Sequence, residues 1–444
     1  MSTIAVLGTG MAGFGAWYRL RDEAHDVVLY DKNSYAGGHT YSWSHAPGFV
    51  FDEGPHVSFT KDERVRAILA EAVDGEFEEI QYELTNYWRG HWAPHPVQTN
   101  LYGLPTDLVT RVITDFVAER QQPEKPVRTY EDWLVSAYGR TFAEEFPEAY
   151  TRKYHTTSSR NMTTDWIGPR MYRPSLEEVL RGALAPSAPN VHYITGFRYP
   201  RRGGFVEYLR KWTAFAPIEL GHEATAIDPV AREIRFRNTG VVSYDQLVSS
   251  VPLPDLIRLL PNVPAEIREA AAKLACSICV LVNIGVARDD ISTTHIDYFY
   301  DEDIVFSRLS FPHLMSAANV PAGAASIQAE IYFSDKYRPL EGVPDDYIEP
   351  TIRDLVRCGI LQEEDEILYR GTQLLPYANV IYDHDRTPAL ERIHGYLGEL
   401  GIAWCGRYGD WGHIWTDEAF VSGERAAEIA LSRVVGGART PISR

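Results

Sequence analysis

The chain has 444 residues, 45% hydrophobic and 23% charged, which places it in the globular range with enough length for two or three joined domains. A formal net charge of -18 disfavours nonspecific nucleic-acid binding, and no apolar run approaches the roughly 20 residues that span a bilayer. The N-terminus enters a strand pattern in place of a signal-peptide pattern, so the expectation is a cytoplasmic protein with neither a nucleic-acid nor a membrane partner.

The first segment, "IAVLGTGMAGFGAWYRL", predicts a buried parallel strand at Ile4 to Leu7 and a helix from Ala12 to Ala24; a second strand, Val27 to Tyr30, ends at Asp31. Gly8, Gly10 and Gly13 fit GxGxxG: the first permits a tight turn, the second lets backbone approach a pyrophosphate, and the third lets the helix pack closely on the sheet. The helix start at Met11 and Ala12 would face phosphates, and Asp31, followed by Lys32, would accept hydrogen bonds from ribose hydroxyls. These residues predict dinucleotide binding and leave NAD and FAD open.

After the second strand, "DKNSYAGGHT" brings Gly37, Gly38, His39 and Thr40, and "FVFDEGPHVSF" brings Gly54, Pro55 and His56. This order resembles the FAD-binding superfamily of amine oxidases, protoporphyrinogen oxidases and UDP-galactopyranose mutases. The resemblance implies FAD, with Gly37 to Thr40 along the cofactor and Gly54 to His56 approaching the isoalloxazine. Its implied fold class is α/β: a Rossmann-type FAD-binding domain with an inserted helical domain and a mixed antiparallel β-sheet substrate domain. The expected boundaries are 1–61, 186–279 and 396–444 for the FAD-binding parts, 62–185 for the mainly helical insert and 280–395 for the β-rich substrate domain.

Along the insert, "HPVQTNLYGLP" holds Asn100 and Tyr102, and "YTRKYHTTSSRNMTTDWIGPRMYRP" holds Trp166, Arg170, Tyr172 and Arg173. "GFRYPRRGGF" then holds Tyr199, paired strands around Thr225 lead to a buried strand from Gln246 to Val251, and "IVFSRLSFPH" holds Arg308. "PYANVIYDHDRTPAL" contributes Tyr377 and Tyr382. A last strand at Ile402 to Cys405 precedes Gly406, Arg407, Trp411 and His413, and a helix follows over about Glu418 to Val434. In this order the motifs are most similar to the mutase branch, although "YGDWGHIWTDEA" replaces the Tyr-x-Tyr-x-Asp expected there.

The mutase resemblance implies pyranose–furanose interconversion of a nucleotide-linked sugar, with N5 of reduced FAD as nucleophile. His56, Arg170, Arg173, Arg308 and Tyr382 become the candidate catalytic residues. Thr225, Val251, Gly406, Arg407 and Trp411 join the cofactor contacts. Asn100, Tyr102, Trp166, Tyr172, Tyr199, Tyr377 and His413 become candidate substrate contacts. Arginine suits a departing diphosphate because its planar fork matches phosphate oxygens, whereas a solvated arginine in so acidic a chain would pair with a surface carboxylate. The implied partners are the nucleotide sugar, a reductant such as NAD(P)H, and a second copy in a homodimer. The alternative reading is an FAD-dependent oxidoreductase of the amine-oxidase or protoporphyrinogen-oxidase type.

No metal site is expected. Cys276 and Cys279 form a lone CxxC where a helix runs into a buried strand, which suits structural thiols, and Asp383, His384 and Asp385 suit a polar loop better than a ligand set.

Overall fold

A computed structural model describes residues 1–186 and 194–435. The expected ranges 186–279 and 396–444 therefore extend in part outside the described residues. A five-stranded sheet has the order Ile402–Trp404, Gln246–Ser249, Thr3–Leu7, Asp26–Tyr30, Ile218–Glu219, with every pairing parallel. Thr3–Leu7 lies at its centre, so Ile4 to Leu7 are buried and apolar on both faces. Three of its five strands lie beyond residue 200, as expected if other layers are inserted between strands of a nucleotide-binding sheet.

The helix after the glycine turn spans Met11–Leu20 and stops four residues short of the expected Ala24. Arg21 to Ala24 are exposed, and three of these four residues are charged, so the buried stripe of the helix is not continued. This helix packs against the C-terminal helix Thr416–Val435 with almost no side chain between them. A Cβ on Gly15 would lie 2.1 Å from the carbonyl oxygen of Phe420, and one on Gly423 would lie 2.0 Å from that of Ala12.

The second sheet has seven strands in the order Ile367–Leu375, Ile278–Val286, Ala325–Phe333, Arg308–Ser310, Ile296–Phe299, Leu84–Trp88, His91–Pro94. All its pairings are antiparallel except that of Ile296–Phe299 with Leu84–Trp88. The stretch 62–185 thus carries strands as well as helices such as Thr106–Arg120 and Tyr130–Tyr138. Arg89 and Gly90, with φ of 46° and 84°, form the tight turn between two aromatic-rich strands, a hairpin chemistry that a helical reading of the region overlooks. Ala325–Phe333 is buried along its whole length. Ile327, Ala329 and Ile331 enter the apolar core on one face, while Gln328, Glu330 and Tyr332 alternate to the other. No helix of the described residues is long and apolar enough to cross a membrane.

Because the helix contact is backbone to backbone, Gly423→Ala is expected to lower stability by about 1–3 kcal/mol in a denaturant titration. An unchanged midpoint would show that the two helices can separate without cost.

Candidate active site

A cavity of about 960 Å³ runs from the glycine turn of the parallel sheet to the polar face of the seven-stranded sheet. Gly8, Gly10, Met11 and Ala12 line its first end. Gly8 has φ +103°, and a Cβ there would lie 2.1 Å from Ser250 Oγ, so only glycine fits the turn. Gly10 caps the helix without a side chain, which leaves the first-turn N–H groups for an anionic ligand. Gly13 lies behind the lining; a Cβ on it would meet the Gly8 carbonyl oxygen at 2.0 Å.

Asp31 Oδ2 accepts from the Thr9 N–H at 2.8 Å and the Thr9 hydroxyl at 2.6 Å, and Oδ1 accepts from the Asn33 N–H at 2.9 Å. A carboxylate has about four acceptor positions, so Asp31 keeps one for a ribose hydroxyl. The glycine cradle and this residual acceptor fit a dinucleotide.

Lys32, Gly38, His39 and Thr40 line the next part, while Gly37 sits behind them and donates its N–H to Thr9 Oγ1 at 3.3 Å. Gly54, Pro55 and His56 follow. His56 Nδ1 is 2.8 Å from the Gly54 carbonyl, which can only accept, so Nδ1 carries the proton and Nε2 is an acceptor. Burial pulls the His56 pKa down to about 4, which keeps the ring neutral.

Val251, Gly406 and Arg407 also line the cavity. Thr225 does not: its hydroxyl donates to the Arg235 carbonyl at 3.1 Å, and its neighbours Glu223 and Ala224 occupy the wall instead. Thr225 sits where the strand register shifts, between Ala224 opposite Phe236 and Ala226 opposite Arg235, which takes it out of simple alternation. Trp411 is also outside the lining, 0% exposed within the core that backs the parallel sheet.

At the far end lie Tyr150, Tyr154, Tyr298, Tyr332, Arg308 and Glu330. Arg308 donates through Nε and Nη2 to the two Glu330 oxygens, both at 2.7 Å, and the Tyr332 hydroxyl donates to the same carboxylate. Burial alone would lower the Arg308 pKa, but the adjacent carboxylate outweighs it and holds the guanidinium charged. Arg308 is thus in the chamber, but its fork is occupied by Glu330 and is not free for phosphate.

Three other guanidiniums converge on the segment 411–414. Arg170 donates to the His413 carbonyl, Arg386 donates through Nε to the Trp411 carbonyl at 2.8 Å, and Arg407 donates through Nη2 to the Ile414 carbonyl at 2.8 Å. Among the described residues none of the three has a carboxylate within ion-pair distance. Carbonyl oxygens satisfy the N–H groups without cancelling the charge. Arg170, Arg407, His413 and Ile414 all line the cavity.

Trp166, Tyr377 and His413 line the cavity as well, and Tyr382 lies behind His413, stacked on it at 5.4 Å with an interplanar angle of 9°. Five expected contacts lie elsewhere. Asn100 is buried and donates to the Pro96 carbonyl at 2.9 Å, and Tyr102 is 50% exposed outside the lining. Tyr172 donates to Glu178 at 2.6 Å, and Arg173 lies over the Trp133 ring at 4.8 Å. Tyr199 is buried with its hydroxyl on Asp52 at 2.8 Å. Motif order locates these residues along the chain but not on a face, and the 171–173 segment turns away after Arg170.

His155 lines the chamber and is absent from the sequence-based set, since nothing in its local pattern separates it from a core histidine. Glu330 did leave a signal: it is the one charged residue in the strand pattern "SIQAEIYF", and a buried carboxylate needs a cationic partner. Asp383 accepts from Lys336 at 2.8 Å and from Tyr337 at 2.6 Å, and Lys336 also donates to Asp385 at 2.9 Å, so both carboxylates serve a structural loop. The cysteines are free thiols, with Cys279 at the cavity floor.

A family profile described as an NAD(P)-binding Rossmann-like domain matches residues 6–72. Over 77 residues the chain is 34% identical to a protein assigned as a zeta-carotene desaturase in Synechococcus elongatus, a match that takes in 17% of this chain and 16% of the desaturase. The structure of a reduced UDP-galactopyranose mutase superposes with a TM-score of 0.89 at 26% identity, covering 99% of this chain and 96% of that one. An Exiguobacterium protein assigned as a protoporphyrinogen oxidase gives 0.73 at 15% identity, covering 97% and 99%, and a putrescine oxidase variant gives 0.66 at 14%, with the same coverage. The chain has the fold of the flavoprotein superfamily that contains these mutases and oxidases.

Two predictions concern the buried charges. Glu330→Gln leaves Arg308 buried without its partner and is expected to cost about 3–5 kcal/mol, while a double change of Arg308 and Glu330 to Met recovers most of the loss. Equal losses in the single and double variants, read by denaturant titration, would contradict a coupled pair. The unfolded chain takes up a proton at His56 near pH 6.5, whereas the folded chain does so only near pH 4, and His155 is lowered further, to about 3, by burial. Acid therefore favours unfolding: each such histidine removes about 1.4 kcal/mol per pH unit as pH falls from 6.5 toward 4. His155→Phe should flatten that slope, and an unchanged slope would show that His155 is protonated in the fold.

Proposed function

We propose that the protein is an FAD-dependent catalyst of the UDP-galactopyranose mutase type, acting in the cytoplasm on a nucleotide-linked sugar without net redox change. The observation that carries this reading is a set of guanidiniums with no carboxylate at ion-pair distance among the described residues: Arg170 and Arg407 in the wall of a chamber where Glu330 is already neutralised by Arg308, and Arg386 behind that wall. Such a chamber attracts a diphosphate and repels a protonated amine. The superposition on the mutase, higher than on either oxidase, supports the same choice.

FAD would be held by Gly10, Met11 and Ala12 at its pyrophosphate, by Asp31 at its ribose, and by Gly38 to Thr40, Gly54 to His56, Val251, Gly406 and Arg407 farther along. When bound in its reduced form, it supplies the electron pair that replaces a nucleoside diphosphate at the anomeric carbon. Arg170 then has the leading role among the side chains. Its Nη2 exchanges the His413 carbonyl for diphosphate oxygens, a charge-assisted contact that strengthens as the leaving group gains charge. Arg407, fixed on Ile414, adds positive potential without moving. His56 stays uncharged, with its acceptor Nε2 fixed by the bond from Nδ1 to Gly54.

A net oxidoreductase is the second reading, favoured by one observation: the Glu330 carboxylate occupies the fork of Arg308 and so removes one expected phosphate ligand. Turnover separates the two. The mutase reading predicts isomerisation of a nucleotide sugar such as UDP-galactopyranose by dithionite-reduced protein without oxygen, and none by oxidised protein. Flavin bleaching on substrate addition, with peroxide release in air, would contradict it. Arg170→Met is expected to lower kcat/KM by about tenfold or more with flavin content unchanged. Unchanged turnover would remove Arg170 from the site.

A further inference from the structure

One group of rings in the chamber has no role in the steps above. His155, 4% exposed, has its ring centroid 5.5 Å from Trp166 and 5.8 Å from His413, and Trp166 and His413 are themselves 5.8 Å apart. All three line the cavity. Among the described residues, His155 Nδ1 and His413 Nε2 have no hydrogen-bond partner, and neither does the hydroxyl of Tyr150 in the same wall. Buried polar atoms are nearly always paired, so three unpaired ones in one chamber mark a place where a polar ligand completes the set.

The rings are held in place. Tyr382 stacks on His413 and accepts its backbone N–H at 2.9 Å, Tyr154 meets His155 edge-on at 4.9 Å, and Trp166 Nε1 donates to the Thr163 carbonyl at 3.1 Å. The box is thus preformed. Burial lowers the pKa of both histidines, and for His413 the nearby Arg407, Arg170 and Arg386 lower it further. Each ring then offers one N–H and one lone pair but no charge.

We propose that His155, Trp166 and His413 form the specificity-determining contact for a neutral polyhydroxylated ring, the sugar part of the substrate; this rests on the nucleotide-sugar reading above. A pyranose presents C–H faces that suit an indole, and hydroxyls that both donate and accept, which suits neutral imidazoles. A cation would meet the field of Arg170, Arg386 and Arg407. An anion would gain no charge-assisted bond from uncharged rings and would sit on Arg170 instead. The chamber thereby separates the two halves of a nucleotide sugar.

The test is calorimetric binding of UDP and of UDP-galactose to the holoprotein and to His155→Phe and His413→Phe, which keep a ring and remove its nitrogens. The affinity for UDP-galactose relative to UDP should fall by about tenfold or more in each variant, while UDP itself stays within about twofold. An unchanged ratio, or equal loss of both ligands, would overturn the proposal. If the variants do not fold, the imidazole resonances of the 15N-histidine-labelled wild-type protein are followed during addition of methyl galactoside. Selective shifts at His155 and His413 support the box, and their absence overturns it. Should the wild-type protein bind neither UDP nor UDP-galactose, the nucleotide-sugar reading fails by itself, and the methyl galactoside titration still decides the box.

Discussion

Three guanidiniums with no carboxylate at ion-pair distance among the described residues fix both the shape and the charge of the chamber. Arg170 ends the short turn Gly168–Arg170, Arg386 opens the helix Arg386–Glu399, and Arg407 follows the strand Ile402–Trp404, yet all three donate to carbonyls between Trp411 and Ile414. A loop gripped at three points keeps His413 against Tyr382. A buried charge paired only with carbonyl dipoles remains a charge, and its cost is recovered when an anion arrives. Burial keeps the His413 imidazole neutral, and the same field adds to that effect.

The other end of the cavity depends on steric closeness. The glycine turn approaches Ser250, and the helix behind it is pinned to the C-terminal helix by contacts at Gly15 and Gly423 that leave no room for a side chain. A dinucleotide held there would reach toward His56 and the tyrosine-lined floor. At that floor Arg308 and Glu330 cancel each other on adjacent strands, Arg308–Ser310 and Ala325–Phe333, where the register sets the two residues opposite one another. Charge thus remains on the wall formed by Arg170 and Arg407 and is absent from the floor.

The N-terminal strand, glycine turn, helix and second strand were legible in the sequence because each part follows from a local rule of turn geometry or periodicity. The later strands of the parallel sheet were legible for the same reason: Gln246–Ser249 and Ile402–Trp404 are short apolar runs bounded by turn residues. Side-chain direction was not. Tyr102, Tyr172 and Arg173 lie in segments whose motif order suits the superfamily, but they turn toward solvent, and Tyr199 points to buried Asp52. Long-range pairing was hidden as well. Nothing near Arg308 indicates Glu330 in sequence; only the alternation of Gln328, Glu330 and Tyr332 in an apolar strand hints that a buried carboxylate needs a cation. His155 has no local signature, and it acquires a role only when folding sets it beside His413.

The charge of the chamber is tested most directly by equilibrium binding of UDP and of putrescine to the holoprotein over a range of salt concentrations. Guanidiniums without carboxylates predict that UDP binds, that its affinity falls as salt screens the field, and that putrescine does not compete. Tight putrescine binding with no measurable UDP affinity would contradict the assignment.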